Sequence, residues 1–309
     1  MTWQQELAEG FSDSAELLAH LGLDSSLADS QAQRSFATRV PRHFVNLMQP
    51  RLDDPLLRQV WAHSDENLQV AGFSDDPLKE QKAPTSGVLH KYRSRVLLIL
   101  RGGCAINCRY CFRRAFPYNE LTLTRRDQQP ALDYIASDPQ INEVIFSGGD
   151  PLMADDQALA DWIQALATIP HLRRIRVHTR LPVVLPNRLT PQLLTALTAT
   201  RLKPVLSLHS NHPQEISDAL IQRLDAFSQV MPVLNQSVLL RGVNDSAEVL
   251  AALSERLFDA RITPYYLFLL DRVSGAAHFE VDREQAYALY QSLQAQLPGF
   301  LVPKLAREI

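Results

Sequence analysis

Residues 95–114, RVLLILRGGCAINCRYCFRR, decide how the rest of the chain is read. The apolar run Val96–Leu100 has the length and composition of a strand buried on both faces. It runs directly into Gly102, Gly103 and three cysteines, Cys104, Cys108 and Cys111, in the spacing CxxxCxxC. The cysteines therefore belong to a loop at the C-terminal end of a strand, where strand–helix loops carry chemistry. Three thiolates can hold three irons of a [4Fe-4S] cube. The sequence has no fourth cysteine, so one iron is left open for an exogenous ligand. Electron-transfer ferredoxins normally fill that position. A structural zinc site using the cysteines and a histidine such as His90 is the main alternative, but such sites usually draw on two close pairs. Three buried, unliganded thiols are a second alternative. The glycine-preceded loop and its neighbours Arg109, Arg113 and Arg114 argue against that.

Short apolar runs and helical stretches alternate onward from this segment. Strands are expected at Val96–Leu100, Val144–Phe146, Ile175–Val177, Val205–Leu208, Gln236–Leu240 and Pro264–Leu269. Helices are expected near Pro130–Ala136, Asp155–Ala167, Pro191–Thr198, Gln214–Val230, Ser246–Ala260 and Arg283–Gln296. Asp155–Asp156, Thr190–Pro191 and Asp245–Ser246 are helix start signals. Six successive strand–helix units imply a parallel sheet with right-handed crossovers. The pattern alone fits both a six-unit partial barrel and a doubly wound sheet. Residues 1–90 read instead as a helical extension with no clear strand. It has helical spacing at Ala15, Leu17, Leu18 and Leu21, further stretches at Phe44–Met48 and Pro55–Trp61, and breaks at Pro41, Pro50, Pro55 and Pro77.

Composition narrows the function classes. The 309 residues are 46% hydrophobic and 21% charged, with a net charge of −3. That suits a large α/β core that needs no disulfide staples. It gives no bulk electrostatic reason to bind nucleic acid. All three cysteines lie within residues 104–111, which excludes a disulfide framework and suits a reducing compartment. The start, MTWQQELAEG, has no secretory features, and no apolar run is long enough to span a bilayer. The expectation is a soluble cytoplasmic protein with no membrane or nucleic-acid partner. Nothing in the sequence excludes a homo-oligomer.

The second expected strand ends in Phe146-Ser147-Gly148-Gly149-Asp150-Pro151-Leu152. Paired glycines at a strand end let backbone approach a ligand closely, although Ser-Gly-Gly-Asp is also a common turn. Together with CxxxCxxC and the aromatic Tyr110, this resembles the radical S-adenosylmethionine (SAM) superfamily, whose fold is a partial (β/α)6 TIM-type barrel. There the open iron chelates the methionine part of SAM. One electron then splits SAM into methionine and a 5′-deoxyadenosyl radical. The resemblance implies that Ser147, Gly148, Gly149 and Asp150 meet SAM, with Asp150 in place of a glutamate.

The likeness extends from about residue 41 to the end. It is carried by Gly72-Phe73-Ser74 to Glu80, Leu89-His90-Lys91-Tyr92, Phe112-Arg113-Arg114, His209-Ser210-Asn211-His212-Pro213, Asn235–Leu240, Leu270-Asp271 to His278-Phe279, and Leu301–Glu308. These segments resemble the lysine 2,3-aminomutase family, and the ending resembles its branch serving β-lysylation of elongation factor P. The resemblance implies an isomerase that moves the α-amino group of L-lysine from C2 to C3, with pyridoxal phosphate (PLP) as second cofactor. It also implies an electron donor, and a separate ligase that carries the product to elongation factor P. Arg113 matches the arginine for the substrate carboxylate, a role its planar fork suits. Asp271 and Glu308 match acids for the ε-ammonium. Tyr92 and Arg95 match positions around PLP, and His209 and Gln236 positions near the adenosyl group of SAM.

The family's PLP lysine follows the position of Glu308, whereas this sequence ends at Ile309. Its five lysines are Lys79, Lys82, Lys91, Lys203 and Lys304, and none stands at the matching place. Residues 91–309 are thus expected to form a radical SAM barrel lacking the PLP-lysine segment, with the catalytic lysine unassigned. The competing readings are an aminomutase for another amino acid, a tRNA-modifying enzyme, or a non-catalytic zinc or iron–sulfur protein. The acidic pair favours a cationic substrate side chain, and no basic stripe with interleaved aromatics supports RNA binding.

Overall fold

A computed structural model describes residues 2–80, 85–124 and 126–307 of the chain. Eight strands form one sheet: β1 (Val88–Tyr92), β2 (Arg95–Arg101), β3 (Glu143–Gly148), β4 (Arg174–Thr179), β5 (Lys203–His209), β6 (Val233–Val238), β7 (Thr263–Phe268) and β8 (Lys304–Ala306). Their spatial order is their sequence order. A doubly wound sheet would reverse direction at a switch point, so this order decides for the barrel. From β2 to β8 every pairing is parallel, and β1 is antiparallel to β2. No pairing joins β8 to β1 among the described residues, which makes the barrel open.

The helices pack on the outside for reasons visible in their sequences. Helix Asp156–Ala167 is capped by Asp155, whose carboxylate accepts from the Ala158 amide at 2.7 Å. Pro191–Thr198 is capped by Thr190 with Pro191 in its first turn, and Ala247–Asp259 by Ser246. Each such cap is worth about 1 kcal/mol. Leu159, Ile163 and Leu166 form one buried stripe. Burying each fully contributes about 1.5–3 kcal/mol.

Several expected boundaries need correction. β1 begins at Val88, within the stretch expected to hold no strand; its alternation is blurred by His90 and Lys91. β6 runs over Val233–Val238 rather than Gln236–Leu240. Asn235, Gln236 and Ser237 disguise it, because they are polar residues in a sheet position. Asn235 and Ser237 satisfy each other at 2.9 Å, and both bond to Ser210. Leu240 leaves the sheet, its amide donating to the Asn244 side chain. The expected helix Gln214–Val230 splits into a 3-10 turn, Pro213–Glu215, and the helix Asp218–Ser228 capped by Ser217. Pro55–Trp61 shortens to a 3-10 turn, Leu57–Gln59, and Phe44–Met48 to a helix over Arg42–Val45.

The N-terminal segment shares its core with the barrel. Leu17, Leu18, Phe44, Leu56 and Leu57 belong to the same apolar cluster as Val96, Phe146, Ile175 and Leu206. A second, smaller cluster around Leu267, Leu293 and Leu301 supports the β7–β8 edge.

Candidate active site

A cavity of about 910 Å³ runs through the barrel interior, from Glu143, Arg176 and Leu234 up to the loops at the strand C-termini. It lies near the upper end of the range for small-molecule sites, so it has room for more than one ligand. Side chains alternate across each strand, and Arg176 and His178 accordingly line the same wall, with Arg180 just past the strand end also on the lining.

The cysteine loop is fixed from below by the N-terminal segment. The Asn107 amide donates to the Arg39 carbonyl at 2.9 Å, and its side chain to that of Ala37 at 2.8 Å. Arg109, fully buried, grips Glu66 through Nε at 2.8 Å and Nη2 at 2.6 Å, and also reaches the Ala32 and Phe36 carbonyls. Arg114 adds a second guanidinium to Glu66 at 2.9 Å. All three cysteines line the cavity. Burial, then Cys111, lifts the Cys104 thiol well above its usual range. Burial, then Cys108, pushes Cys111 up to about 11. Such thiols ionise when a metal replaces the proton. Three thiols in one loop are a donor set that fits three irons of a cluster.

His90 does not complete a zinc site. Its Nδ1 lies 2.7 Å from the Tyr134 hydroxyl on helix Gln128–Ser137. Among the described residues no three His, Cys, Asp or Glu side chains converge on a single metal ion.

The glycine turn meets the cysteine loop backbone to backbone. The Gly149 amide donates to the Arg101 carbonyl at 2.7 Å, and the Asp150 amide to that of Gly103 at 3.0 Å. A Cβ on Gly149 would lie 2.6 Å from the Gly103 oxygen. Gly148 has φ +129°, and a Cβ there would lie 2.3 Å from the Arg101 oxygen. Only glycine serves at either position.

Comparisons with known proteins agree with this geometry. Residues 93–174 match the model of a 4Fe-4S single cluster domain. An L-lysine 2,3-aminomutase of Escherichia coli K12 is 49% identical, over 99% of this chain and 91% of its own. One from Haemophilus influenzae is 48% identical, over 99% and 92%. This chain belongs to the lysine 2,3-aminomutase family. It is an isomerase of the radical SAM superfamily. In fold it is also similar to Streptococcus suis SuiB bound to S-adenosylmethionine, with a TM-score of 0.51 and 13% identity over 70% of this chain and 50% of that one.

For a lysine 2,3-aminomutase, the placement of the expected site residues is informative. Ser147, Gly148, Gly149, Asp150, His209, Gln236, Arg113, Asp271, Tyr92 and Arg95 all line the one cavity. Glu308 lies outside the described residues; its neighbour Arg307 lines the cavity. Asp271 follows β7, in a loop whose Leu270 and Val273 pack in one apolar cluster with Tyr110, against Cys108. Arg95 stacks on Tyr92, its guanidinium carbon 3.7 Å from the ring centroid. Lys91 and Arg176 join them on the lining.

Two residues have internal duties that the sequence did not suggest. The Asp150 carboxylate accepts from the Leu152, Arg180 and Leu181 amides at 3.0, 2.8 and 2.9 Å, and from the Thr179 hydroxyl at 2.7 Å. Burial still holds this carboxyl above its usual range, against those bonds. Arg113 is 7% exposed, so it is not a surface arginine. Its Nε donates to Glu80 at 2.7 Å, and its Nη1 to the Ser147 hydroxyl and the Gly148 carbonyl at 3.1 and 3.2 Å. Glu80 also pairs with Lys91 at 3.1 Å.

His209 Nε2 lies 2.7 Å from the Tyr110 hydroxyl. Burial first, then Arg180, pushes its pKa down to about 3, so it is a neutral ring at ordinary pH. Sequence reasoning missed Gln59, Glu80, Arg176, His178, Arg180 and Glu215. For three of these a signal existed. In RIRVHTR, residues 174–180, polar side chains recur at every second position of a strand flanked by helices on either side in sequence. That pattern marks a polar interior wall. Arg176 Nε and His178 Nε2 are buried there without a hydrogen-bond partner among the described residues. Burial, then Arg176, holds His178 well below its usual pKa.

Proposed function

We propose that this chain converts L-lysine to β-lysine with SAM and PLP, in the cytoplasm, and that the product modifies elongation factor P through a separate ligase. The observation that carries this reading is the single cavity, which is lined by the three cysteines and Asp271 together with Lys91, Arg95 and Arg176. Homologues named L-lysine 2,3-aminomutase support the substrate assignment. When bound, the cluster and SAM supply a carbon radical, and PLP carries the migrating nitrogen.

The chain's own residues would do the rest. Cys104, Cys108 and Cys111 hold three irons. Ser147, Gly148 and Gly149 offer backbone at close range, with Asp150 fixing their loop. Neutral His209, together with Gln236, flanks the adenosyl side without adding charge. Arg113, with Nε and Nη1 already committed, would offer the substrate carboxylate its Nη2. Asp271, joined by Glu308, would hold the ε-ammonium, since a lone cation in a closed site is costly. Lys91, Arg95 and Arg176, with the unpartnered Nε of Arg176, are a donor set suited to a phosphate. Tyr92, already stacked on Arg95, would face the ring of PLP. Of the described lysines Lys91 lines the cavity, and its ammonium pairs with Glu80.

The test is anaerobic reconstitution with iron and sulfide, followed by SAM, PLP, an external reductant and L-lysine. Near four irons per chain and β-lysine as product are expected. An iron-free protein, or a loaded one that leaves lysine unchanged, overturns the reading. Borohydride treatment with PLP present should leave no stable adduct on Lys79, Lys82, Lys91, Lys203 or Lys304.

A further inference from the structure

One buried network ties the cysteine loop to three other parts of the chain. Arg180, 6% exposed, stands at its centre, in the loop after β4. Its Nη1 donates to Cys108 Sγ at 2.7 Å and also contacts the Tyr110 hydroxyl. Its Nη2 donates to Gln59 Oε1 at 2.8 Å and to Glu215 Oε2 at 3.0 Å. Its backbone amide donates to Asp150 at 2.8 Å. The partners are themselves held. Gln59 Nε2 donates to Glu215 Oε1 at 3.0 Å, and the Asn211 side chain donates to Gln59 at 3.0 Å and to Tyr110 at 2.7 Å. Glu215 has no exposure and further accepts from the Asn211 and His212 amides.

We infer that Arg180 is a positioning residue for the cluster: aimed by Glu215 and Gln59, it donates a hydrogen bond to the Cys108 sulfur and makes the cluster easier to reduce. This rests on the cluster assignment above, but not on the identity of the amino-acid substrate. The physical reason is electrostatic. Hydrogen bonds to the sulfurs of a cluster and nearby charge set its reduction potential. A cluster gaining one electron gains negative charge at its sulfurs, and a fixed guanidinium in a low-dielectric site stabilises that charge more than water would. The carboxylate of Glu215 offsets part of Arg180's charge but fixes its direction. Glu215 and Gln59 occupy Nη2 and so turn Nη1 toward Tyr110 and the sulfur, while Nε is buried without a hydrogen-bond partner among the described residues.

The experiment uses the full chain, reconstituted anaerobically, without lysine, and titrated with a reductant under EPR. Arg180→Gln should retain its iron and sulfide. At a fixed potential its reduced-to-oxidised ratio should fall about tenfold, which corresponds to a midpoint about 59 mV more negative for one electron. Arg180→Lys, which keeps a charge and a donor, should shift less. A loaded Arg180→Gln protein with the wild-type midpoint overturns the inference. Should that variant take up no cluster, the native protein still decides. With arginine carrying heavy nitrogen, pulsed EPR of the reduced cluster should show coupling to an arginine nitrogen that disappears in Arg180→Lys; its absence from the native protein overturns the inference. A protein that takes up no iron at all fails the cluster assignment instead, so the two failures are distinguishable.

Discussion

The two walls of the cavity are built in opposite ways. On the cysteine side, every reactive loop is tied to another element by buried polar groups. Arg109 and Glu66 pair with 0% and 1% of their side chains exposed, and Arg180 and Glu215 with 6% and 0%. The β7–β8 side is light. Three residue pairs join β8 to the sheet, Lys304 is exposed, and the supporting apolar cluster is the smaller one. Buried ion pairs are poor sources of stability but specify geometry when fully satisfied. The contrast teaches that this fold spends its polar groups where a loop must be preorganised before any ligand arrives.

The sharpest way to break this comparison is to unpair the buried charges. Glu66→Leu strands Arg109 and Arg114, and should cost about 3–5 kcal/mol, measured by denaturant unfolding of the apoprotein. Iron uptake should fall with it. A variant that unfolds and loads like wild type would show that the cysteine wall is not held from the N-terminal segment. In the loop after β7, Asp271→Ala should leave the cluster absorbance unchanged. Turnover should fall by at least roughly thirtyfold, the equivalent of about 2 kcal/mol for a truncated charge pair. Undiminished turnover removes Asp271 from the site.

The smallest effect concerns pH. His209 and His278 are held neutral by burial, at about 3 and about 4, against an ordinary value of 6.5. Between those values the unfolded chain binds more protons than the folded one. The stability these rings allow is therefore complete above pH 6.5 and is lost as pH falls toward 4. Melting temperature should drop from pH 7 to pH 5, and His278→Gln should flatten that slope. Glu80, lowered through Arg113 against its own burial, acts only below its ordinary 4.5 and does not mask the trend. A flat profile from pH 7 to 5 would contradict the buried, neutral state of these rings.

Legibility in the sequence follows the same division. Cysteine spacing, the glycine pair, strand alternation and helix caps are local patterns, and they led to a parallel α/β sheet and to the cysteine and glycine loops; the choice of a barrel and the other site residues came from the family resemblance. The network that holds the cysteines is not local. Gln59 and Glu66, Arg180 and Glu215 come from three separate parts of the chain, and Gln59, Glu66 and Glu215 each read alone as an ordinary surface polar residue. β6 is hard to place from sequence because Asn235 and Ser237 bond to Ser210, just past β5, and Gln236 lines the cavity, which inverts the usual rule that a buried strand is apolar. The resemblance marks Asp150 as a SAM contact, and the structure adds the bonds to Leu152, Thr179, Arg180 and Leu181, which no local pattern signals.

Those bonds have a mechanical consequence. By seizing the chain after β4 while its own backbone is latched to Gly103, Asp150 welds three neighbouring loops into one rigid body. A carboxylate one methylene longer would overshoot the amides it now meets, so aspartate and glutamate are not interchangeable in this scaffold. Any displacement of Arg180 would be transmitted through that weld to the glycine turn, and the cavity's roof would shift as a unit.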